Sequence, residues 1–241
     1  MVKKQLDFLS SALIAHRGLH GGGIPENSLA AFGAAVRGGY IIELDVHVLA
    51  DGNVAVFHDD NLMRMCEANV AIKDLTARKL CKYVLGGTDE HIPLLEDVLE
   101  LIDGAVPIII ELKYDASVGL LEKALLPLLE KYTGEYALKS FDPRIVRNLR
   151  RMCRSVPVGQ LYSNEMFAKV SGLKRWLFMR IVNWSMRRSD FISVDQNDLN
   201  EPIINTLRAF GKPILTWTIT STDERLAAAK MADNCICEKI L

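Results

Sequence analysis

The sequence predicts an α/β fold: a (β/α)8 TIM barrel with an extra hairpin arm after the second strand and a small insertion after the arm. Nine short apolar runs alternate with helical patterns along the 241 residues, and only one neighbouring pair lacks a connection of a dozen or more residues. Parallel strands need such long crossovers. The run at 106–110 is apolar on both faces, as expected for a strand covered on both sides. A doubly wound open sheet is the alternative, but the glycines at 21–23 lack the dinucleotide-binding spacing.

The hairpin arm is predicted from the run at 41–49 and the run at 53–59. Asp51-Gly52 separates them, and Asp-Gly between alternating apolar residues is a strong hairpin signal. The connection is too short for a parallel crossover. We therefore interpret 53–59 as the return arm of a hairpin that rises above the barrel mouth.

The other elements follow from apolar periodicity and from capping residues. A polar insertion at about 60–91 interrupts the alternation, with one helix predicted near 75–84. Ser221 to Glu224 match a capping box for the last helix. The remaining predicted helices are 29–37, 95–102, 117–131, 143–153, 201–210 and 225–231, and the remaining strands are 12–15, 106–110, 136–142, 156–162, 190–195, 213–220 and 234–238.

The segment 166–188 is less regular than the rest of the chain. It carries tryptophan, phenylalanine and methionine side chains among six basic residues. Basic and aromatic residues together suit a helix at a membrane interface, so weak peripheral membrane contact through 166–188 is one interpretation. A helix that covers the barrel and keeps a solvated basic side explains the composition equally well.

Composition narrows the function classes. The 29 Lys and Arg residues nearly balance the 30 Asp and Glu residues, so no nucleic-acid partner is expected. The five cysteines have neither zinc-ribbon nor Cys-x-x-Cys spacing, which favours reduced thiols in the cytoplasm. The N-terminal apolar run is interrupted before it reaches signal-peptide length, and no run of roughly 20 apolar residues is present. We expect a single cytoplasmic domain over 1–241.

Polar residues end the predicted strands, at the face where such barrels place their working groups. Carboxylates suit a hard cation such as Mg²⁺ or Ca²⁺, Arg and Lys suit phosphate, and two histidines can serve as general acid and base. Glu43 and Asp45 share one face of their strand, and the hairpin would bring His58 back beside them. The pattern indicates metal-assisted phosphoryl chemistry. Its candidate residues are His16, Arg17, Glu43, Asp45, His58, Glu111 and Lys113.

Plainer interpretations exist for some of these residues. His16 and Arg17 taken alone fit a structural hydrogen-bonding pair, and Glu111 with Lys113 fits a buried ion pair. Trp217 lies in an apolar strand, where a core position and a substrate contact are equally compatible with the sequence. His47 shares the face of Asp45, but we expect it to be structural or solvated rather than catalytic.

Eight short motifs follow one another along the chain: His16-Arg17-Gly18, Pro25-Glu26-Asn27-Ser28, Glu43-Leu44-Asp45-Val46, Asp51-Gly52, Val56-Phe57-His58-Asp59, Glu111-Leu112-Lys113, Ser140-Phe141-Asp142 and Trp217-Thr218. In this order they resemble the motifs of the glycerophosphodiester phosphodiesterases, and the resemblance covers residues 12 to about 238. The chain departs from the family pattern at Arg64-Met65-Cys66, where an Arg-Thr-Thr-like run is usual, at Thr218-Ile219-Thr220 after Trp217, and at Glu238, where aspartate is common. These departures concern substrate preference rather than chemistry.

The resemblance implies a TIM barrel that hydrolyses small-molecule glycerophosphodiesters to glycerol 3-phosphate and an alcohol. It implies that a divalent cation, Mg²⁺ or Ca²⁺, is the cofactor. Two alternatives remain: a cyclising phosphodiesterase of the phospholipase type that acts on lyso or intact lipids, and a non-catalytic phosphodiester-binding barrel. The implied roles are metal binding by Glu43, Asp45 and Glu111, acid–base catalysis by His16 and His58, and substrate binding by Arg17, Lys113 and Trp217.

Overall fold

The second strand organises the sheet. In the computed structural model, which describes residues 6–114 and 118–238, β2 (Ile41–Val48) pairs in parallel with β1 (Ile14–Ala15) and with β4 (Ile108–Leu112). Its C-terminal end pairs antiparallel with β3 (Val54–Val56). Gly52 adopts a positive φ of 83° in the turn, a conformation that glycine tolerates without steric cost. The predicted hairpin arm is confirmed.

The remaining strands close the barrel. Each pairs in parallel with its neighbours in chain order, and β9 pairs back to β1. Among the described residues, eight parallel strands therefore form a closed (β/α) barrel and β3 stands outside it, which confirms the predicted fold class. These strands are β5 (Tyr136–Ser140), β6 (Val158–Tyr162), β7 (Phe191–Asp195), β8 (Ile214–Ile219) and β9 (Asn234–Cys237).

Helices follow the barrel strands. Ser28 accepts a hydrogen bond from the amide of Ala31 and caps the first helix. The Oγ of Ser221 accepts one from the amide of Glu224 at 3.2 Å, so the last helix begins three residues earlier than predicted. The helices are α1 (Leu29–Gly38), α2 (Met63–Cys66), α3 (Ala77–Leu80), α4 (Leu95–Ile102), α5 (Leu120–Leu129), α6 (Pro143–Met152), α7 (Gly172–Arg188), α8 (Pro202–Ala209) and α9 (Thr222–Ala228).

Both interpretations of the segment 166–188 require a helix, and the segment contains one: α7 has 17 residues. One sequence prediction needs correction. The helix predicted near 75–84 is reduced to α3, because Leu75, Leu80 and Leu85 all pack into the cluster beneath the hairpin, and a spacing of five residues does not keep side chains on one helical face. Ser117, the predicted start of another helix, lies outside the described residues.

None of the described helices is long and apolar enough to cross a membrane. Most core residues lie between the sheet and its covering helices. A separate cluster fills the barrel interior and contains one residue from each of seven strands, together with Phe8 and Leu9 from the N-terminal 3-10 helix Asp7–Ser10. This apolar cluster forms the floor on which the polar residues lie.

Candidate active site

The polar cavity lies one layer above the apolar floor of the barrel. Side chains two positions apart on a strand face the same side, so the residue that follows each floor residue by two enters the next layer. Ile41 is followed in this way by Glu43, and Ile109 by Glu111. Strand alternation therefore changes the interior from apolar to polar within about 7 Å. The residues of this layer are His16, Glu43, Glu111, Lys139, Ser193, Trp217 and Glu238.

Glu43, Asp45 and Glu111 form a buried carboxylate cluster. Each offers one oxygen, and these oxygens all lie within 4.8 Å of one another. The register pairs Asp45 directly with Glu111 across β2 and β4, which brings together acids that are distant in the chain. Hard divalent cations prefer carboxylate oxygens. The cluster can therefore hold a divalent cation, and the structure brings together the three predicted metal ligands.

Two lysines and one arginine balance this negative charge. Lys113 Nζ lies 2.8 Å from Asp45 Oδ1 and 2.6 Å from Glu111 Oε1. Arg17 Nε lies 3.3 Å from Asp45 Oδ2. The Asn27 amide also donates to Asp45 Oδ2 at 3.0 Å. The predicted cations Arg17 and Lys113 thus lie at the carboxylate cluster.

Lys139 is the site residue that sequence reasoning missed. Its Nζ lies 2.8 Å from Glu43 Oε1 and 3.6 Å from Glu111 Oε2, and its side chain is almost completely buried. Lys139 follows the floor residue Ala137 by two positions and pairs in register with Glu111, and neither relationship is visible before the barrel is closed. An isolated buried lysine is costly, so the carboxylates of Glu43 and Glu111 stabilise it.

The surrounding cations keep the acids ionised. Burial raises the pKa of Glu43, but the Lys139 ammonium and the nearby His16 outweigh burial and lower it. Burial likewise opposes ionisation of Asp45, but Lys113, Arg17 and His58 lower its pKa well below the usual range. The pKa of Lys113 is raised in turn, because Asp45 and Glu111 outweigh the effect of burial. Oppositely charged neighbours therefore stabilise the charged forms.

Each predicted catalytic histidine has its own carboxylate partner. His16 Nδ1 lies 3.5 Å from Glu238 Oε1. His58 Nδ1 lies 2.6 Å from Asp59 Oδ1, and the His58 side chain is one-third exposed. A carboxylate at hydrogen-bond distance from Nδ1, as Asp59 is for His58, orients the ring. His16 lowers the pKa of Glu43 and His58 lowers the pKa of Asp45, so each histidine lies near the carboxylate cluster.

A network of charged side chains links His58 to Asp45 of the carboxylate cluster. Arg64 donates to Asp59 Oδ2 at 2.7 Å and to Glu26 Oε1 at 2.6 Å, and Arg17 donates to Glu26 Oε1 at 2.7 Å. Burial raises the pKa of Glu26, but the two arginines outweigh it and lower the pKa to about 2. The network joins, in order, His58, Asp59, Arg64, Glu26, Arg17 and Asp45.

Backbone geometry also positions Arg17. Its φ is 55°, in the left-handed region that residues with a Cβ seldom occupy, and its amide donates to Glu43 Oε2 at 3.2 Å.

His47 is buried, with Nε2 3.3 Å from the carbonyl of His58. This contact gives His47 the structural role that we expected for it.

Trp217 is partly buried and packs against the apolar floor of the barrel. Its ring meets the Phe141 ring edge-on, with centroids 5.6 Å apart and planes at 89°. Its indole nitrogen is buried, and no hydrogen-bond partner for it occurs within the described part of the chain. Because a buried indole N–H usually has a partner, this donor remains available to a bound molecule.

A comparison with known protein families identifies the family to which this chain belongs. The family model of the glycerophosphoryl diester phosphodiesterase family matches residues 16–237, which includes nearly the whole barrel and every site residue described above except Glu238. The chain belongs to this family. It is thus a phosphoric diester hydrolase, a phosphodiesterase that acts on glycerophosphodiesters.

Similar proteins come from distant organisms. The chain is 29% identical over 218 residues to YhdW of Bacillus subtilis, covering 87% of this chain and 86% of that protein. It is 37% identical over 147 residues to human lysophospholipase D, covering 56% of this chain and 45% of the human protein. An Oleispira antarctica phosphodiesterase, solved in complex with the product sn-glycerol-3-phosphate, matches the fold with a TM-score of 0.79, 21% identity and coverage of 95% and 94%.

Proposed function

We propose that this glycerophosphodiester phosphodiesterase releases glycerol 3-phosphate and an alcohol by acid–base catalysis with His16 and His58. One observation carries the proposal: two histidines near the buried carboxylate cluster each have a further carboxylate at Nδ1, Glu238 at 3.5 Å from His16 and Asp59 at 2.6 Å from His58. The Oleispira antarctica relative binds the corresponding product, sn-glycerol-3-phosphate. Its presence there supports the same product class for this chain.

The carboxylates Glu43, Asp45 and Glu111 would hold a divalent cation, Mg²⁺ or Ca²⁺. When bound, this cation would supply positive charge to neutralise the phosphoryl oxygens during the reaction. The Arg17 guanidinium and the Lys113 ammonium lie at the same cluster. They would bind the phosphate and stabilise the charge that grows on its oxygens.

The nucleophile in this proposal is the glycerol hydroxyl next to the phosphodiester. The substrate itself holds this hydroxyl near phosphorus, so attack is effectively intramolecular. One histidine accepts the hydroxyl proton as the new P–O bond forms, and the other donates a proton to the departing alkoxide as the old P–O bond breaks. Water then opens the cyclic phosphate with the histidine roles reversed.

Trp217 would contact the substrate at the mouth through its unpartnered indole N–H.

We also propose a cytoplasmic location for the enzyme. No disulfide joins the cysteines in the described ranges, as is usual for proteins of reducing compartments. Fractionation of the source cells, with immunodetection of the protein, tests this location.

The decisive assay uses protein stripped of metal with EDTA and then reloaded with Mg²⁺, Ca²⁺ or Mn²⁺ singly. A panel of glycerophosphodiesters is offered, and glycerol 3-phosphate release is measured. We expect release with at least one cation and none in EDTA. Absence of release under every condition would favour a non-catalytic binding barrel. Phosphorus NMR of the products separates hydrolysis from a reaction that stops at the cyclic phosphate.

A further inference from the structure

Basic residues are concentrated on one side of the barrel. Residues 143–188, which include α6 and α7, contain eleven Lys and Arg residues and one acidic residue, Glu165. Of the 29 basic and 30 acidic residues in the whole chain, 18 basic and 29 acidic residues therefore remain outside this segment. The near-neutral net charge conceals a strongly cationic face on an otherwise acidic protein.

Helix α7 is apolar on two opposite sides. Val182, Ser185 and Met186 are buried against the barrel. On the opposite side lies an apolar stripe whose members are between 46% and 71% exposed, and their spacing places them on one face of the helix. Contiguous exposed apolar side chains of this size mark an interaction site. The apolar stripe consists of Leu173, Trp176, Leu177, Ile181 and Trp184.

Arginines flank the tryptophans of the apolar stripe. Arg180 lies over the Trp176 ring at 4.7 Å, and Arg188 lies over the Trp184 ring at 4.6 Å. Each arginine follows its tryptophan by four residues, which places both on the same face. Tryptophan rings and basic side chains on one exposed helical face are typical of helices that lie in the headgroup region of a bilayer.

A cationic cleft of about 360 Å³ separates α6 from α7. Its charged lining consists of Arg147, Arg150, Arg151 and Arg188, and Trp184 lies at its side. Arg150 Nη1 is buried and has no hydrogen-bond partner among the described residues. Clustered arginines suit an anionic phosphate headgroup.

An apolar groove of about 460 Å³ leads from the barrel mouth towards α7. Tyr114 directly follows Lys113 of the site, and Phe141 packs against Trp217, so the groove begins beside the predicted substrate-binding residues. Ile181 belongs both to the groove and to the apolar stripe. The apolar lining of the groove consists of Tyr114, Phe141, Pro143, Met166, Phe178 and Ile181.

We propose that the α6–α7 face docks on an anionic phospholipid bilayer and that the apolar groove receives the acyl chain of a lipid phosphodiester taken from that bilayer. The stripe would enter the interface, the arginines of the cleft would bind lipid phosphates, and the groove would guide the chain to the mouth. The inference rests on the proposed function for its chemistry and extends its substrate class from water-soluble diesters to lysophospholipid-like diesters.

The cationic cleft and the exposed apolar stripe together favour a bilayer over other occupants. A second copy of the chain would bring the same cationic face and repel the first. A nucleic acid would use the arginines but would leave the aliphatic stripe, Leu173 with Leu177 and Ile181, in water. A bilayer with anionic headgroups satisfies both the cationic cleft and the apolar stripe, and it supplies the acyl chain that the groove fits.

Docking is tested by co-sedimentation with phosphatidylcholine vesicles prepared with and without phosphatidylglycerol. Binding should need phosphatidylglycerol and should weaken as salt rises. Trp176→Gln/Leu177→Gln and Arg147→Glu/Arg151→Glu should each weaken it roughly tenfold or more. Lys79→Glu/Lys82→Glu on the exposed insertion makes the same charge change and should bind like the wild type. Unaltered vesicle binding by the two α6–α7 variants would overturn the proposal. Binding of an oligonucleotide, or self-association of the chain, in place of vesicle binding would also overturn it.

The groove is tested separately from the apolar stripe with Met166→Trp, which fills the groove, and Met166→Ala, which does not and should behave like the wild type. Met166→Trp should lower turnover of lysophosphatidylcholine in vesicles by roughly tenfold and leave glycerophosphocholine turnover unchanged. Equal effects on both substrates, or none on either, would overturn the groove assignment. Wild-type activity on glycerophosphocholine without activity on lysophosphatidylcholine would refute only this inference. Loss of both activities in the wild type would refute the proposed function itself.

Discussion

Lys139 Nζ lies 2.8 Å from Glu43 Oε1, at the bottom of the active site. The two residues are far apart in the chain and both are almost completely buried. Glu43 is also a proposed ligand of the divalent cation, so the ammonium and the cation would share one carboxylate group. Lys139 thus connects the stability of the barrel to cation binding.

Removing Lys139 should destabilise the protein more than its small change in volume suggests. Lys139→Met leaves the Glu43 carboxylate buried without its partner, which typically costs about 3–5 kcal/mol of unfolding free energy. Urea unfolding in EDTA measures this loss. The double variant Glu43→Gln/Lys139→Met should recover much of it, because no unpaired buried charge remains.

The same variant should respond more strongly to cations. Mg²⁺ or Ca²⁺ should raise the melting temperature of Lys139→Met by more than that of the wild type, because the added cation replaces the missing charge. Lys169→Met, at an exposed position, is the matched control. Identical cation responses in all three proteins would show that Lys139 and the cation do not share Glu43.

Glu111→Gln should weaken cation binding with little change in side-chain shape. The substitution removes one of three clustered carboxylate charges, and affinity for hard cations depends on the number of charged ligands. Isothermal titration of the EDTA-treated protein should give a dissociation constant increased by roughly tenfold or more. An unchanged constant would place the cation elsewhere.

His16→Ala and His58→Ala should each lower kcat by about 10²–10⁴-fold. Both variants should still bind the cation, because neither removes a carboxylate of the cluster. Cation titration and circular dichroism separate lost catalysis from lost structure. His91→Ala, at an exposed position, is the control, and full activity of either site variant would exclude its histidine from proton transfer.

Asp59 should act as a positioning residue for His58. Asp59→Asn keeps the size of the side chain but weakens the contact that orients His58 Nδ1 at 2.6 Å. Loss of such orienting partners typically costs about 10–100-fold in activity. The pH profile of kcat should shift with the variant, whereas a merely structural role would lower activity equally at every pH.

The network through Glu26 should make stability depend on acidity. Its pKa is lowered from 4.5 to about 2, so the stabilisation is fully present above pH 4.5 and is lost as pH falls towards 2. This lowering of the Glu26 pKa corresponds to about 3 kcal/mol of stabilisation of the folded state. Urea unfolding near neutral pH and at about pH 3 should show a smaller acid loss for Glu26→Gln than for the wild type. The exposed Glu96→Gln should behave like the wild type.

Local sequence patterns were sufficient for much of the fold and for most of the proposed site. The alternation at Glu43 and Asp45 placed both acids on one strand face, and the Asp51-Gly52 turn brought the chain back towards His58. Both features depend only on strand geometry and turn chemistry, which act over a few residues. The same holds for the cap at Ser221, which the structure confirms.

Other features depended on neighbours that local patterns do not reveal. Lys139 was missed because its partner Glu43 lies on a different strand, and only the register of the closed barrel brings the two together. The bounds of helix α7 were not predicted, because the helix is apolar towards the barrel and also towards solvent, so that no single hydrophobic face appears in its sequence. Arg64 was seen only as a departure from the family pattern, although it joins Asp59 to Glu26.

The sequence by itself determined the barrel, the hairpin arm and the kinds of chemical group at the strand ends, because period and turn residues act locally. Only the tertiary structure decided which charges are neighbours, that Lys139 lies against Glu43, and that an apolar groove joins the mouth to α7. Those relationships depend on how eight strands close around one axis, since closure sets the distances between side chains that are remote in the chain.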